Sequence, residues 1–442
     1  MKRYSEYKDS GVKWIGEIPR HWKVVAIKRL SEIILGKMLD KTNGNEQQYL
    51  CAKDVHFDGI NLSNLKKMYF SPEEQNKYRI RKGDLLVVEG GACGTCAILR
   101  KEVNDIFIQN SIMIVRGDNT KCVNDFISYS IQALVQKGYT ESVCHKATIM
   151  HFTKEKLGNT FISLPPLSDQ EAIVTYLDAK VAKIDEYISI AEKKIAALEE
   201  LKQTIIAEAV TRGIHKDVPM KDSGVKWIGI IPEHWKIEPF GRHFSYGKGL
   251  PITKADLTTE GVAVISYGQI HSKQNIGTTM DDCLVRYVNP KYIGTNPQCL
   301  LNKNDFVFAD TSEDIEGCGN FAFNDRNESI FAGYHTIIVR PKDILQPKYY
   351  AYLFQSKKWK SQVQTLVNGV KVFSISRGIL KKLSLLIPTC TEQQEIVTYL
   401  DSKVAKINQL CQAERSQIEK LKEYKQRLIS DVVTGKVKVT ND

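Results

Sequence analysis

The sequence predicts an α+β protein built by internal duplication: two mixed α/β domains and two long helices that pair as an antiparallel coiled coil with pseudo-two-fold symmetry. Three observations carry this. Lys8 to Lys23 (KDSGVKWIGEIPRHWK) recurs at Lys221 to Lys236 (KDSGVKWIGIIPEHWK), with differences only at Glu17/Ile230 and Arg20/Glu233. Ile173 to Ile184 (IVTYLDAKVAKI) recurs at Ile396 to Ile407 with one change, Ala179 to Ser402. The fillings between these blocks share almost no identity, so two copies of one frame hold two different contents. The expected domains are 1–164 and 215–387 for the two fillings with their frames, and 165–214 and 388–442 for the two helical regions.

The helices are the clearest elements. Between Ser168 and Thr211 there is no Gly or Pro, and apolar residues recur in steps of three and four. Pro165 and Pro166 stop any upstream helix, Ser168 is placed to cap the first turn, and Gly213 follows the end. The second copy starts after Pro388 with Thr391 as its cap and runs to Gly435. Its start is less defined, because Pro388-Thr389-Cys390 replaces Pro165-Pro166-Leu167. Each helix extends about 65 Å at 1.5 Å per residue. The expected seam is Val181, Ile184, Ile188, Ile195, Leu198 and Ile205 against Val404, Ile407, Cys411, Ile418, Leu421 and Leu428. The competing arrangement packs each helix on its own domain only.

The fillings read as mixed α/β. Strand-like runs at Asp84–Val88, Ser111–Arg116, Asp305–Phe308 and Thr336–Arg340 are bounded by turn residues, with helical stretches at Val123–Lys137 and Pro347–Val363. The offset between copies is 213 at the first block and 223 at the second, so the second filling is ten residues longer. Trp14, Trp22, Trp227 and Trp235 in the frames are expected to anchor terminal segments on the domains rather than to stack on a ligand.

Composition narrows function. With 42% hydrophobic and 26% charged residues, the chain has globular composition and lacks any run of the ~18 apolar residues a membrane span needs. Met1 is followed by KRYSEYKDSG, without a signal-peptide core, and ten irregularly spaced cysteines suit a reducing compartment, so a cytoplasmic protein is expected. The net charge of +11 favours a nucleic-acid partner. No motif for catalysis is present: no GxxxxGK[ST], HExxH or GxSxG, and neither Asn289-Pro290 nor Asn296-Pro297 continues as an adenine methyltransferase loop. Gly90 to Gly94 reads as a tight turn after a strand. Cys93-Gly-Thr-Cys96 is a lone CxxC without a second ligand pair, so no metal is expected. The expected activity is therefore recognition without catalysis: two unlike readers on one spacer, suited to a DNA sequence split into two half-sites.

The ordered set KDSGVKWIGEIPRHW, variable domain, LPPLSDQEAIVTYLDAKVAKID, then the same set closing on IPTCTEQQEIVTYLDSKVAKIN, resembles the specificity subunit of type I restriction-modification systems and spans essentially the whole chain. The resemblance implies that each filling is a target recognition domain for half of a bipartite site. It also implies that the helical regions dock two adenine-N6 methyltransferase subunits and, through them, motor-nuclease restriction subunits. S-adenosylmethionine, ATP and Mg²⁺ would then belong to partners, with no cofactor or metal on this chain. Family-like positions place DNA contacts in the loops Glu89–Thr95 and Asp310–Asn320, and in the segments His145–His151 and Asn368–Ser374. Lys146 and Lys371 are the phosphate candidates, with Thr148, His151, Ser374, Lys53 and Tyr267 beside them. Two other readings stay open, a protein-interaction scaffold and a stand-alone bipartite DNA-binding repressor. Steep salt dependence of binding separates DNA readers from the scaffold.

Overall fold

The computed structural model describes residues 3–40, 44–144, 150–342, 346–367, 369 and 372–439. It divides into two compact units, Met1–Glu192 with Arg415–Asp442, and Lys193–Glu414. No helix among the described residues is long and apolar enough to cross a membrane.

The two units are built alike. In the first, a four-stranded antiparallel sheet has the order Cys96–Ile98, Leu85–Val88, Ile112–Gly117, Ser31–Leu35. The second repeats it with Phe321–Phe323, Phe306–Ala309, Thr336–Pro341, Phe244–Lys248. Both faces are covered, which explains why the central strands are apolar without alternation. Leu85, Val87, Met113 and Val115 enter one core cluster, with the helix Asn124–Gln136, while Leu86, Val88, Ile112 and Ile114 enter another. In the second unit Phe306, Phe308, Ile337 and Val339 face the helical cluster, and Val307, Ala309 and Ile338 the opposite one.

A second sheet in each unit contains one parallel pair. Glu46–Leu50 pairs with Ile106–Ile108 in the first, and Val262–Ile265 with Ile330–Ala332 in the second. The second unit widens this sheet to five strands from the three of the first. The helical stretch expected at Pro347–Val363 is two helices, Pro347–Gln355 and Lys357–Leu366, broken where the buried Ser356 caps the second through Trp359 N–H at 3.2 Å.

The repeated frames close each filling. The strand Lys23–Ala26 pairs with Phe161–Leu164, and Lys236–Pro239 with Ser384–Ile387, in the same register. Trp22 and Trp235 are almost fully buried just ahead of these strands, and Trp14 packs on Tyr139 at 4.5 Å between centroids.

The long helices run Leu167–Arg212 and Cys390–Val433. Their caps differ from expectation. Ser168 lies inside the first turn of its helix, and the second helix is capped by Thr389, whose Oγ1 accepts from Glu392 N–H at 3.3 Å, rather than by Thr391. In both copies a buried glutamine secures the start instead: Gln170 donates to Pro165 O at 2.9 Å and Gln393 to Pro388 O at 3.0 Å. In the first unit Ile173, Leu177 and Ile184 share a core with Leu428, Ile429 and Val432, and Lys425 reaches Asp185 at 2.7 Å. In the second, Ile206 and Val210 share a core with Ile396 and Leu400, Lys202 donates to Asn408 at 3.2 Å, and His215 meets Glu395 at 2.8 Å. Partner numbers fall on one helix as they rise on the other, so the helices pair antiparallel within each unit. Of the seam positions, Ile184, Ile407, Cys411, Ile418 and Leu428 are buried. Val181, Ile188, Leu421, Ile205 and Val404 are partly buried against the same cores, and Ile195 and Leu198 are half-buried.

Candidate nucleic-acid interface

In each unit, loops from separate parts of the chain meet at one end of the buried central strand, held by the same backbone bonds. In the first unit Glu89 N–H donates to Ser111 O at 2.8 Å, and Glu89 O accepts from Phe152 N–H at 2.7 Å. In the second, Asp310 N–H donates to His335 O at 3.1 Å, and Asp310 O accepts from Ile375 N–H at 2.8 Å. The loops after the strand are thereby joined to the segments preceding the last strand of each filling, although about sixty residues separate them in sequence.

The first unit's loop is a tight glycine turn. Gly94 N–H returns to Val88 O at 2.9 Å, with Gly91 at φ 84° and Gly94 at φ 81°. A Cβ on Gly94 would lie 2.6 Å from Val135, so glycine is required there for space as well as for backbone freedom. His151 bridges Gly90 and is exposed. Lys53 is exposed in the short helical turn Ala52–Asp54, whose first N–H donates to Ser111 Oγ at 3.0 Å. Lys53, the glycine turn, Ser111 and His151 are thus brought together. Cys93 and Cys96 are buried: Cys93 Sγ donates to Met150 O at 2.9 Å, and burial pushes the Cys96 thiol up to about 12. No group of three or more potential metal ligands occurs among the described residues.

The second unit's loop is longer and acidic. Ser374 pairs with Thr311, and Tyr267 lies 5.4 Å from the His335 ring and 5.6 Å from Tyr334. Tyr267, His271, Thr311, Glu313, His335 and Val372 line a cleft of about 630 Å³. A relay stiffens its wall. Lys360 Nζ donates to Asn320 Oδ1 at 2.6 Å, Asn320 Nδ2 to His271 Nδ1 at 3.1 Å, and His271 Nε2 to Thr311 O at 2.9 Å. The relay specifies the tautomer with its proton on Nε2, and burial pulls the Lys360 ammonium down to about 8.

Lys53 and Tyr267 both lie in the short helical turn that follows the strand of each parallel pair, but one place apart: counted from the caps Cys51 and Ser266, Tyr267 matches Ala52 and Lys53 matches Gly268. His151 and Ser374 do match, as the residues pairing with the loop. Lys146, Thr148 and Lys371 lie outside the described residues. Sequence reasoning missed Gln109–Ser111 and Tyr334–His335, which sit at the centre of each cluster. Their only sequence signal is a polar or aromatic pair directly before a strand.

A scaffold that repeats its backbone bonds in both units and changes the side chains they present is the construction of a recognition protein with two unlike readers. Residues 19–200 and 244–420 each match the type I restriction modification DNA specificity domain. The chain belongs to that family, and its role is DNA recognition as a non-catalytic specificity subunit. It is similar to the MjaVIII specificity subunit of Methanocaldococcus jannaschii, 23% identical over 96% of this chain and 95% of that one. It is also similar to the EcoBI specificity subunit of Escherichia coli, 24% identical over 38% of this chain and 35% of that one. Among solved structures, a chain from a study of assembly and conformational transition in a type I restriction-modification system superimposes with a TM-score of 0.71 at 17% identity, covering 94% of this chain and 98% of that one. The HsdS subunit from Thermoanaerobacter tengcongensis gives 0.50 at 17% identity, covering 95% and 98%.

Proposed function

We propose that each loop cluster reads one half of a bipartite DNA site, the first through Lys53, the Glu89–Thr95 turn and His151, the second through Tyr267, the Asp310–Asn320 loop and Ser374. Phosphate contacts are assigned to Lys146, Thr148 and Lys371, which lie outside the described residues. The observation that carries the reading is the matched pair of backbone junctions, Glu89 with Phe152 and Asp310 with Ile375, because it builds one platform twice and dresses it differently. Carboxylates in the second loop suit amino groups of cytosine or adenine in the major groove, and phosphate contacts by lysines position the duplex.

The long helices set the gap between half-sites and dock two adenine-N6 methyltransferase subunits, through which restriction subunits join. S-adenosylmethionine, ATP and Mg²⁺ act on those partners, and the assembly works in the cytoplasm. The test is to express the chain with its methyltransferase subunit and map N6-methyladenine across the host genome by single-molecule sequencing. A split motif methylated on both strands is expected. A stable complex that leaves no modified motif would reject the reading and favour a scaffold or repressor.

A further inference from the structure

The chain that continues from the strand Ser31–Leu35 runs beside the first loop cluster. Gly36 N–H donates to Ile112 O at 3.1 Å, Lys37 N–H to Ile108 O at 3.1 Å, and Asn110 N–H returns to Lys37 O at 2.8 Å, so Met38 leaves the sheet next to Gln109–Ser111, the centre of that cluster. Met38 is 73% exposed and Leu39 66%, the two highest values among the large apolar side chains of the described residues. They do not stand on a loose tip. The buried Lys37 ammonium meets Asp40 at 2.8 Å, on the far side of the two residues, and Glu74 at 2.6 Å; it also donates to Tyr69 O at 2.9 Å and lies 5.4 Å from the centres of the Tyr69 and Phe70 rings. Glu74 is itself fixed by Ser71 N–H at 2.9 Å, in the capping box of the helix Pro72–Tyr78. The backbone on both sides of Met38 and Leu39 is thus tied to one buried cation.

The second unit makes the same backbone bonds and hides the side chains. Gly249 N–H donates to Thr336 O at 3.2 Å and Leu250 N–H to Ala332 O at 2.8 Å, matching Gly36 and Lys37. Leu250 and Ile252, at the places of Lys37 and Leu39, are only 2% and 7% exposed, within an apolar cluster. The projection therefore belongs to the first reader alone. Scattered apolar residues in solvent need no explanation. Two adjacent ones on a pinned turn, beside a surface whose partner is DNA, do, because the large apolar surface a duplex offers is the stacked faces of its bases.

We propose that Met38 and Leu39 form an apolar wedge that enters the base stack at or beside the first half-site and parts one base step. The inference rests on the proposed reading of the first loop cluster as a DNA reader, and it adds a determinant of a different kind from the polar contacts. Leu and Met side chains held on a rigid support can insert between bases, unstack them and kink the duplex. Pyrimidine–purine steps such as TA and CA/TG yield most readily, so the wedge selects a deformable step without a hydrogen bond to any base edge. The second half-site, faced by no such projection, is read without this insertion.

The test uses the full chain with its co-expressed methyltransferase subunit and a duplex carrying the motif recovered from the methylation map. A single mismatch is moved step by step through both half-sites and their flanks, and the affinity of wild type is compared with that of Met38→Ser with Leu39→Ser at each position. Both residues are exposed, so folding is preserved; thermal melts verify it, and Leu39→Ser alone serves as a milder variant. A mismatch removes stacking that the wedge must otherwise break, so the wild-type advantage over the variant should peak, by at least ~10-fold, at one step in or beside the first half-site. Tightening at an adenine extruded for methylation should appear equally in both proteins and cancel in the comparison. The variant should also bend the intact duplex less, read by energy transfer between dyes at its ends. A flat comparison across all positions would overturn the wedge and leave the proposed function standing, as would a peak at the second half-site. A flat comparison with affinity lost on replacing thymine by uracil would overturn it in favour of a methyl contact in the groove. Loss of a methyltransferase copy from the variant in native mass spectrometry would overturn it in favour of a protein contact. A stable wild-type complex that yields no methylated motif would overturn the wedge and the proposed function together.

Discussion

The Tyr129 hydroxyl donates to Asp178 at 2.6 Å, joining the helix of the first filling to the first long helix, and Tyr352 donates to Asp401 at 2.6 Å in the second unit. Both phenols are raised, first by burial and then by the carboxylate that accepts from them. The two bonds are the same bond, 223 residues apart, preserved where the fillings otherwise differ. Each recognition domain is therefore fastened to helix by a directional contact as well as by packing. Tyr129→Phe is expected to lower stability by ~1 to 2 kcal/mol, because it leaves Asp178 without its donor. Tyr352→Phe should cost less, since Asp401 keeps Lys348 at 2.8 Å. Urea denaturation of the two variants checks the order; equal losses would refute the part assigned to Lys348.

A second repeated pair lies at the base of each central strand. Arg116 Nε meets Asp84 at 2.9 Å, and Arg340 Nε meets Asp305 at 3.0 Å, with the carboxylates only 5% and 3% exposed. Asp84 also accepts from Arg81 N–H, and Asp305 from Asn302 N–H, both at 2.8 Å, so each aspartate ties a turn to the sheet. Removing the aspartate takes the carboxylate from a partly buried guanidinium, 22% exposed at Arg116 and 28% at Arg340, and unties the turn. Asp84→Ala and Asp305→Ala are each expected to destabilise by ~2 to 3 kcal/mol, measured by thermal or chemical melting. Replacing both members of a pair with apolar residues should recover much of the loss.

The duplication, the long helices and the central strands were legible because each rests on local periodicity or literal repetition. The helix caps were not. Ser168 and Thr391 have the right chemistry, but buried Gln170 and Gln393 reach back to the proline carbonyls and let each helix begin a little earlier. The candidate site was legible only in outline. Glu89 and Phe152 are far apart in sequence, and nothing local says that their backbones meet; nor does any periodicity mark Ser111 or His335 as the residues that close the junction. The Trp22/Trp235 pair shows how a small change escapes notice. Trp235 Nε1 donates to Glu392 at 3.2 Å, whereas the matching acid in the first unit is the shorter Asp169, and Trp22 Nε1 has no protein partner among the described residues.

Lys360 gives the second recognition domain a pH signature. Its folded-state value of about 8 lies below the ordinary lysine value of 10.5, so the unfolded chain binds more protons between these limits, and stability rises with pH across that window. Below pH 8 the folded state bears the full cost of a desolvated ammonium; above about 10.5 neither state does. Wild type should therefore gain up to ~3 kcal/mol relative to Lys360→Met between pH 8 and 10.5. Melting both proteins across that range tests this, and a pH-independent difference would show that Lys360 is solvated. Loss of the relay in the variant should also loosen Asn320 and His271, read as faster amide exchange in the Asp310–Asn320 loop.

The two helix ends predict an asymmetry. Gly213 and Gly435 both have left-handed backbones, at φ 76° and 73°. A Cβ on Gly213 would touch Trp235 at 3.4 Å, but one on Gly435 would lie 2.3 Å from Pro19 Cδ and 3.0 Å from Trp22. Gly213→Ala should cost the backbone penalty alone, ~1 to 2 kcal/mol. Gly435→Ala should cost clearly more, because the N-terminal segment, whose Tyr7 hydroxyl also donates to Gly435 O at 3.0 Å, must shift to make room. Thermal melts rank the pair, and equal losses would mean that the segment around Pro19 yields freely.

The proposed ruler is tested by lengthening it without disturbing its pairing. Because the helices run antiparallel, an insertion in one alone would slide Lys202 away from Asn408 and His215 away from Glu395. Four residues are therefore inserted after Ile195 and four after Ala413. The insertion adds about 6 Å and turns the remainder of each helix by about 40° beyond a full helical turn. With the methyltransferase subunit present, both half-site sequences should survive in the methylation map while the gap between them grows by one or two base pairs, since a base pair rises ~3.4 Å along the duplex. An unchanged gap would refute the ruler. Altered half-site sequences would instead show that the helices shape the readers themselves, and that the two loop clusters do not act independently of the scaffold beneath them.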